Sequence, residues 1–194
     1  MAVFKKKENL LEFPTTPSLV GEDIYLRPAR PEDFLEIHRW FLASDPQAQT
    51  CHQVKIVSPE ERVERMKKGQ GSEDITHFVI VLKEDHRTVG HASYFHLNSL
   101  NRSVELGVLI APEERKNGFA TDALTTLIRY LFVEMDMNKV YAQTGSFNDA
   151  SRKLLEGLEF HLDGTLRQHH RYKEELYDDL LYSLLRFECD FLKR

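Results

Sequence analysis

The sequence predicts an α+β protein built on one mixed, largely antiparallel sheet with helices interrupting the strand order. Three observations carry this. Residues 76–111 hold three apolar stretches separated by short polar reversals, the pattern of a meander. A helical stripe follows directly, with Ala120, Leu124, Leu127, Leu131 and Met135 at spacings of four, three, four and four. Further strand and helix patterns then alternate to the C-terminus, without the regular strand–helix repeat of a doubly wound fold.

Residues 1–21 are polar and contain Pro14 and Pro17, and read as a mobile arm ahead of a single domain at 22–194. Ile24-Tyr25-Leu26-Arg27 is a short strand. Pro31-Glu32-Asp33 opens a helix whose apolar positions Phe34, Ile37, Trp40 and Phe41 recur at helical spacing. Ser58-Pro59-Glu60-Glu61 combines an N-cap, a first-turn proline and early acids, so a second helix runs to about Lys68.

The meander strands are Thr76 to Leu82, Thr88 to Leu97 and Arg102 to Ala111. In the third, Val104, Leu106, Val108 and Ile110 share one face, which leaves Glu105 with Gly107 and Leu109 on the other. A strand is expected from Lys139 to Thr144, then a helix from Asn148 to Leu158 with Ala150, Leu154, Leu155 and Leu158 turned inward. Two long strands, Phe160 to Lys173 and Asp179 to Phe187, end the chain.

At 194 residues, 41% of them hydrophobic, the chain suffices for one substantial core. A net charge of −5 gives no general field for nucleic acid or an anionic membrane. No segment approaches the ~20 apolar residues of a membrane span, and no apolar leader follows Lys5-Lys6-Lys7, so a soluble, cytoplasmic protein is expected. Cys51 and Cys189 form no disulfide framework or zinc pattern, and the nine histidines match no metal motif, so no metal is expected.

The most informative stretch is Glu105 to Thr121. A strand runs into the loop Glu113-Glu114-Arg115-Lys116-Asn117-Gly118, which opens the helix at Phe119-Ala120-Thr121. Unpaired N–H groups at a helix N-terminus and the helix dipole together bind a pyrophosphate, and Gly118 permits its close approach.

This order of strand, Arg115-x-x-Gly118-x-Ala120, amphipathic helix, strand and Asn148-x-x-Ser151 resembles the GNAT superfamily of acyl-CoA-dependent N-acyltransferases from about Ile24 onward. The opening Tyr25-Leu26-Arg27-Pro28-Ala29-Arg30-Pro31-Glu32-Asp33 is similar to the ribosomal-protein N-terminal acetyltransferase branch, the RimJ/RimL type. So are the closing Gly164-Thr165-Leu166-Arg167 and Asp179-Leu180-Leu181-Tyr182-Ser183-Leu184-Leu185-Arg186.

The resemblance implies a GNAT-like fold, its sheet splayed between the strands ending near Ala111 and beginning near Lys139, with the pantetheine arm of acetyl-CoA in the gap. Backbone groups of Val108, Leu109 and Ile110 would pair with that arm. The pyrophosphate would lie on Arg115, Lys116, Asn117, Gly118, Phe119, Ala120 and Thr121. It also implies an amine acceptor, here a peptide N-terminus or a small amine such as a polyamine, amino sugar or antibiotic, and it makes a homodimer the expected assembly.

Acyl transfer to an amine requires a neutral amine, support for the oxyanion and a proton for the thiolate. Glu105 is the candidate base, set against an ordinary solvated strand carboxylate. By family similarity a backbone N–H of Leu109 or Val108, at a strand distortion, supports the oxyanion. Asn148 is either a helix cap or a contact to the cofactor arm. Leu155 stands where many superfamily members carry a proton-donating tyrosine; in the branch resembled, a serine four residues earlier is the usual candidate, and Ser151 stands there as thiolate donor, as a hydrogen-bond partner of the cofactor, or as a surface hydroxyl. The leucine also leaves room for a non-catalytic acyl-CoA-binding module. Glu159 replaces the glycine usual before the aromatic Phe160, which puts that turn in question. Tyr172, Tyr177 and Trp40 are either acceptor-pocket walls or core.

Overall fold

Eight strands form one sheet in the order β1-β2-β3-β4-β5-β6-β8-β7 in the computed structural model, which describes residues 19–49, 57–69 and 75–192. They are β1 (Leu19–Val20), β2 (Ile24–Pro28), β3 (Ile75–Leu82), β4 (Thr88–Asn98), β5 (Ser103–Ile110), β6 (Lys139–Gly145), β7 (His161–Tyr172) and β8 (Glu175–Leu185). All neighbours run antiparallel except β5 and β6. The helices are α1 (Asp33–Ala43), α2 (Pro46–Gln49), α3 (Pro59–Gly69), α4 (Phe119–Val133) and α5 (Asp149–Gly157).

Helices cover both faces of the sheet because its central strands are apolar on both. On one face, Leu124, Leu127, Ile128 and Leu131 of α4 pack with Ile24, Leu26, Ile80, Val104, Val140 and Leu184. On the other, Phe34, Ile37 and Trp40 of α1 pack on Val79 and Val81. The continuous run Phe78–Leu82 is buried throughout, as an interior strand requires.

Several boundaries move. The first helix starts at Asp33, two residues after the expected proline. Arg27 makes a bidentate pair with Asp33 at 2.7 and 2.8 Å, and Asp33 also accepts the Arg30 N–H, so this carboxylate closes the turn before α1. Leu19 and Val20, placed in the arm by the sequence, form β1, while residues 1–18 of that arm lie outside the described residues, as does Cys51. The helical stripe of α4 ends at Val133, short of Met135, and is broader than expected, since Ala123, Thr126 and Phe132 are buried too. Ala150 is exposed rather than inward, because it lies on the open side of α5 while Leu155 takes the core.

The last strand starts at Glu175, four residues early. A two-residue turn at Lys173 and Glu174, both left-handed at φ 47 and 71, joins it to β7. Glu159 also adopts the left-handed conformation, φ 65, so the turn that glycine would favour forms with glutamate in place.

Candidate functional site

The parallel pairing of β5 with β6 lasts for three positions, Ser103↔Lys139, Val104↔Val140 and Glu105↔Tyr141. Beyond them each strand follows its other neighbour. β5 stays in register with β4 as far as Gly90↔Ile110, and β6 with β8 as far as Gly145↔Asp179. Two intact half-sheets therefore diverge from Glu105 and Tyr141, opening a cleft of about 850 Å³.

The alternation of a strand decides which backbone groups face this gap. The Arg102 carbonyl accepts N–H groups of Asn138 and Lys139 toward β6, whereas the Ala111 N–H goes to Val89 on β4. Period two then turns the main-chain groups of Leu106, Val108 and Ile110 into the gap and those of Leu109 toward its partner His91. Val108 and Ile110 thus present main-chain groups to the gap, whereas Leu109, expected to pair with the arm or to support the oxyanion, turns its own toward β4. The expected distortion is also absent from this part of β5: its ladder with β4 is regular from Glu105 to Ile110, and the irregularity falls on β4 between Phe95 and Asn98.

Beyond Ile110 the chain makes a 3₁₀ turn at Pro112–Glu114, an extended Arg115 and a left-handed Lys116 (φ 69), reaching Gly118 at φ 84 as the N-cap of α4. The first i→i−4 bond runs from the Asp122 N–H to the Gly118 carbonyl, so the N–H groups of Phe119, Ala120 and Thr121 precede the helical ladder. A side chain at Gly118 would meet no protein atom within 4 Å and would project into open space at the cleft floor.

Arg115 also lines the cleft, its guanidinium donating to Ser44 Oγ at the end of α1 and to the Ile110 carbonyl at 3.4 Å. Lys116 lines it and is exposed. Asn117 does not: it faces a second depression, beside Asp122 and Arg129, and its amide donates to the Glu114 carbonyl.

On the opposite wall, Asn148 caps α5, its Oδ1 accepting the Ser151 N–H at 3.2 Å, and its Nδ2 donates to the Ala48 carbonyl at 3.3 Å. It lines the cleft as well, so the cap and a ligand contact are compatible. Ser151 is half-buried in the cleft wall, and its hydroxyl has no hydrogen-bond partner among the described residues. Leu155 is buried, 3% exposed, and has no proton to give.

Glu105 lines the cleft at its apex, its carboxylate 13% exposed. Across from it, burial and then the Glu105 charge raise the Tyr141 hydroxyl above the ordinary tyrosine range.

Of the three aromatic candidates, Tyr172 lines the cleft, stacked on Phe147 at 4.0 Å with an interplanar angle of 7° and donating to Asp45 at 2.8 Å. Tyr177 meets Phe147 edge-on behind it, and Trp40 belongs to the core under α1. Phe147, Asp45, Phe95 and Gln143 of the lining were not read from the sequence, having no motif to mark them. Gln143 donates to Asp179, which is fully buried beside His170 at 3.3 Å. No group of three or more His, Cys, Asp and Glu could hold a metal among the described residues. No helix among them is long and apolar enough to cross a membrane.

The N-acetyltransferase p20 of Bacillus licheniformis, itself uncharacterized, is 32% identical over 111 residues, covering 57% of this chain and 62% of the relative. The putative ribosomal N-acetyltransferase YdaF of Bacillus subtilis is 34% identical over 102 residues, 52% of this chain and 55% of the relative. These matches span a little more than half of those relatives. The spermidine N-acetyltransferase of Vibrio cholerae, solved with CoA and spermine, shares the fold at a TM-score of 0.78 and 21% identity, over 86% of this chain and 97% of that one. The family described as acetyltransferase (GNAT) domain matches residues 23–161, a span that holds β2 through α5 and so both walls of the cleft. On that match the chain belongs to the GNAT acetyltransferase domain family.

Proposed function

We propose that the protein transfers an acetyl group from acetyl-CoA directly to a primary amine, with a peptide or protein N-terminal α-amine as acceptor, in the manner of the RimJ/RimL branch. The observation that carries this is the continuity of one cleft. It joins the main-chain groups of Val108 and Ile110, the left-handed Gly118 at a helix start, and the side chains of Glu105 and Ser151. The residues fit acetyl-CoA as substrate: amides at 119–121 and the charges of Arg115 and Lys116 suit its diphosphate, and the edge of β5 suits its amide-bearing arm.

Each step then has a residue. Glu105 takes the amine proton, directly or through water. The amine nitrogen attacks the thioester carbonyl, and the Val108 N–H, aimed into the gap, stabilises the oxyanion. As the C–S bond breaks, the Ser151 hydroxyl hydrogen-bonds the leaving thiolate and relays to it the proton released by the attacking nitrogen, so that the hydroxyl is regenerated. Peptide acceptors are supported by the branch-like ends of the chain and by the ribosomal assignment of YdaF. A small polyamine is the second reading, favoured by the Phe147–Tyr172 stack beside Asp45 at the cleft, since aromatic faces with a carboxylate suit a second cationic centre.

The test is CoA thiol release with a panel of short peptides of differing N-termini and of linear polyamines. Turnover with peptides supports the first reading and turnover confined to polyamines the second. CoA binding without turnover on any amine overturns both and makes this a binding module. Double-reciprocal plots that intersect support direct attack, whereas parallel lines refute it.

A further inference from the structure

Glu105 has a partner that strand geometry would ordinarily deny it. Phe95 is its cross-strand neighbour on β4, so in a regular ladder residue 96 would turn to the opposite face of the sheet. Between the pairs Phe95↔Glu105 and Asn98↔Ser103, however, β4 carries one residue more than β5, and His96 adopts φ 51. The bulge re-aims its side chain, placing His96 Nδ1 2.8 Å from Glu105 Oε2. The histidine is 63% exposed and the carboxylate 13%, so the ring spans from bulk water to the apex of the cleft.

An ionised carboxylate only accepts hydrogen bonds, so Nδ1–H donates in this contact. Glu105 Oε1 has no protein partner among the described residues.

Resting on the reading of Glu105 as the base, we propose that His96 is a positioning residue: its Nδ1–H holds Oε2 so that Oε1 receives the acceptor's proton. The other ionisable groups on this face do not duplicate the effect. Tyr141 of β6, with its hydroxyl raised by burial and the Glu105 charge, stays neutral. Lys139, farther along β6, is paired with Asp163 at 2.6 Å, and Asp163 is also bonded by Ser183. His96 is the side-chain hydrogen-bond partner of Glu105 among the described residues.

Two substitutions separate this role from folding, because asparagine and glycine both accept a left-handed conformation. His96→Asn retains a donor in the place of Nδ1 but does not titrate, and His96→Gly removes the donor. With saturating acetyl-CoA and the panel amine that turns over fastest, His96→Gly should lower kcat about tenfold at about pH 8 and leave the KM for acetyl-CoA unchanged, with His96→Asn recovering most of the loss.

His96→Gly at the native rate, with Glu105→Gln inactive, overturns the role of His96 and leaves Glu105 as base. A fully active Glu105→Gln overturns the base and this role with it.

Discussion

Glu105, Ser151 and Gly118 occupy three separate parts of one cleft, and their substitutions should fail in different ways. Glu105→Gln removes the proton acceptor while preserving shape, so kcat should fall by about 10²–10⁴ with the KM for acetyl-CoA unchanged in steady-state assays. Ser151→Ala acts on a thiolate, a good leaving group, so a loss of about tenfold is expected, again in kcat. Gly118→Val forces a β-branched residue to φ 84 and fills the space above the helix amides. Calorimetry with CoA alone should show at least about tenfold weaker binding. Gly118 and Ser151 were singled out in the sequence by motifs, and Glu105 by the alternation of its strand. Asp45, Phe147 and Gln143 were not, because the α1–α2 turn, the β6–α5 turn and β6 bring them to the cleft without a motif to mark them.

Among elements, the turns diverge most from sequence expectation. Lys173-Glu174 carries none of the Asn-Gly chemistry that marks a two-residue hairpin, so β8 was placed four residues late; twelve- and eleven-residue strands pairing on both sides of the turn supply the stability the turn residues lack. The same override holds at Glu159, where the burial of Leu155, Leu158 and Phe160 fixes the chain on either side of a left-handed residue. Glu159→Gly relieves that conformation at an exposed position, and should stabilise the fold by about 0.5–1 kcal/mol in urea unfolding. The opening motif has a structural use that sequence resemblance does not reveal. Burial raises the Asp33 carboxyl, but the hydrogen bonds from Arg27 and Arg30 outweigh it and hold it below the usual range, fastening β2 to α1.

Across the whole molecule, the meander followed from periodicity and the position of the splay from family resemblance, whereas the buried polar interior did not. His77 and His91 lie on neighbouring strands of the face under α1, with Nδ1 of one 2.9 Å from Nε2 of the other. Burial lowers His77 to about 4, with a smaller push from Arg62. It lowers His91 to about 3, assisted by His77 and Arg62. Both are depressed from 6.5, so the unfolded chain takes up their protons first as the solution is acidified. Stability is complete above about pH 6.5, declines as pH falls, and the histidine contribution is spent by about pH 3. Urea midpoints should therefore drop between about pH 6.5 and 4, before Asp33 and Asp163, both held low, begin to protonate. A His77→Gln, His91→Gln double variant should flatten that part of the curve.

Only three rungs join the two halves of the sheet, and past Glu105 the exposed edge of β5 offers its amides alternately. Saturating CoA should therefore slow hydrogen–deuterium exchange at Val108 and Ile110 by at least about tenfold, while Leu109, already bound to β4, exchanges as before. An every-other-residue footprint of that kind would mean that the nucleotide enters as a ninth ladder member, and that the protein finishes its own secondary structure with a molecule it consumes.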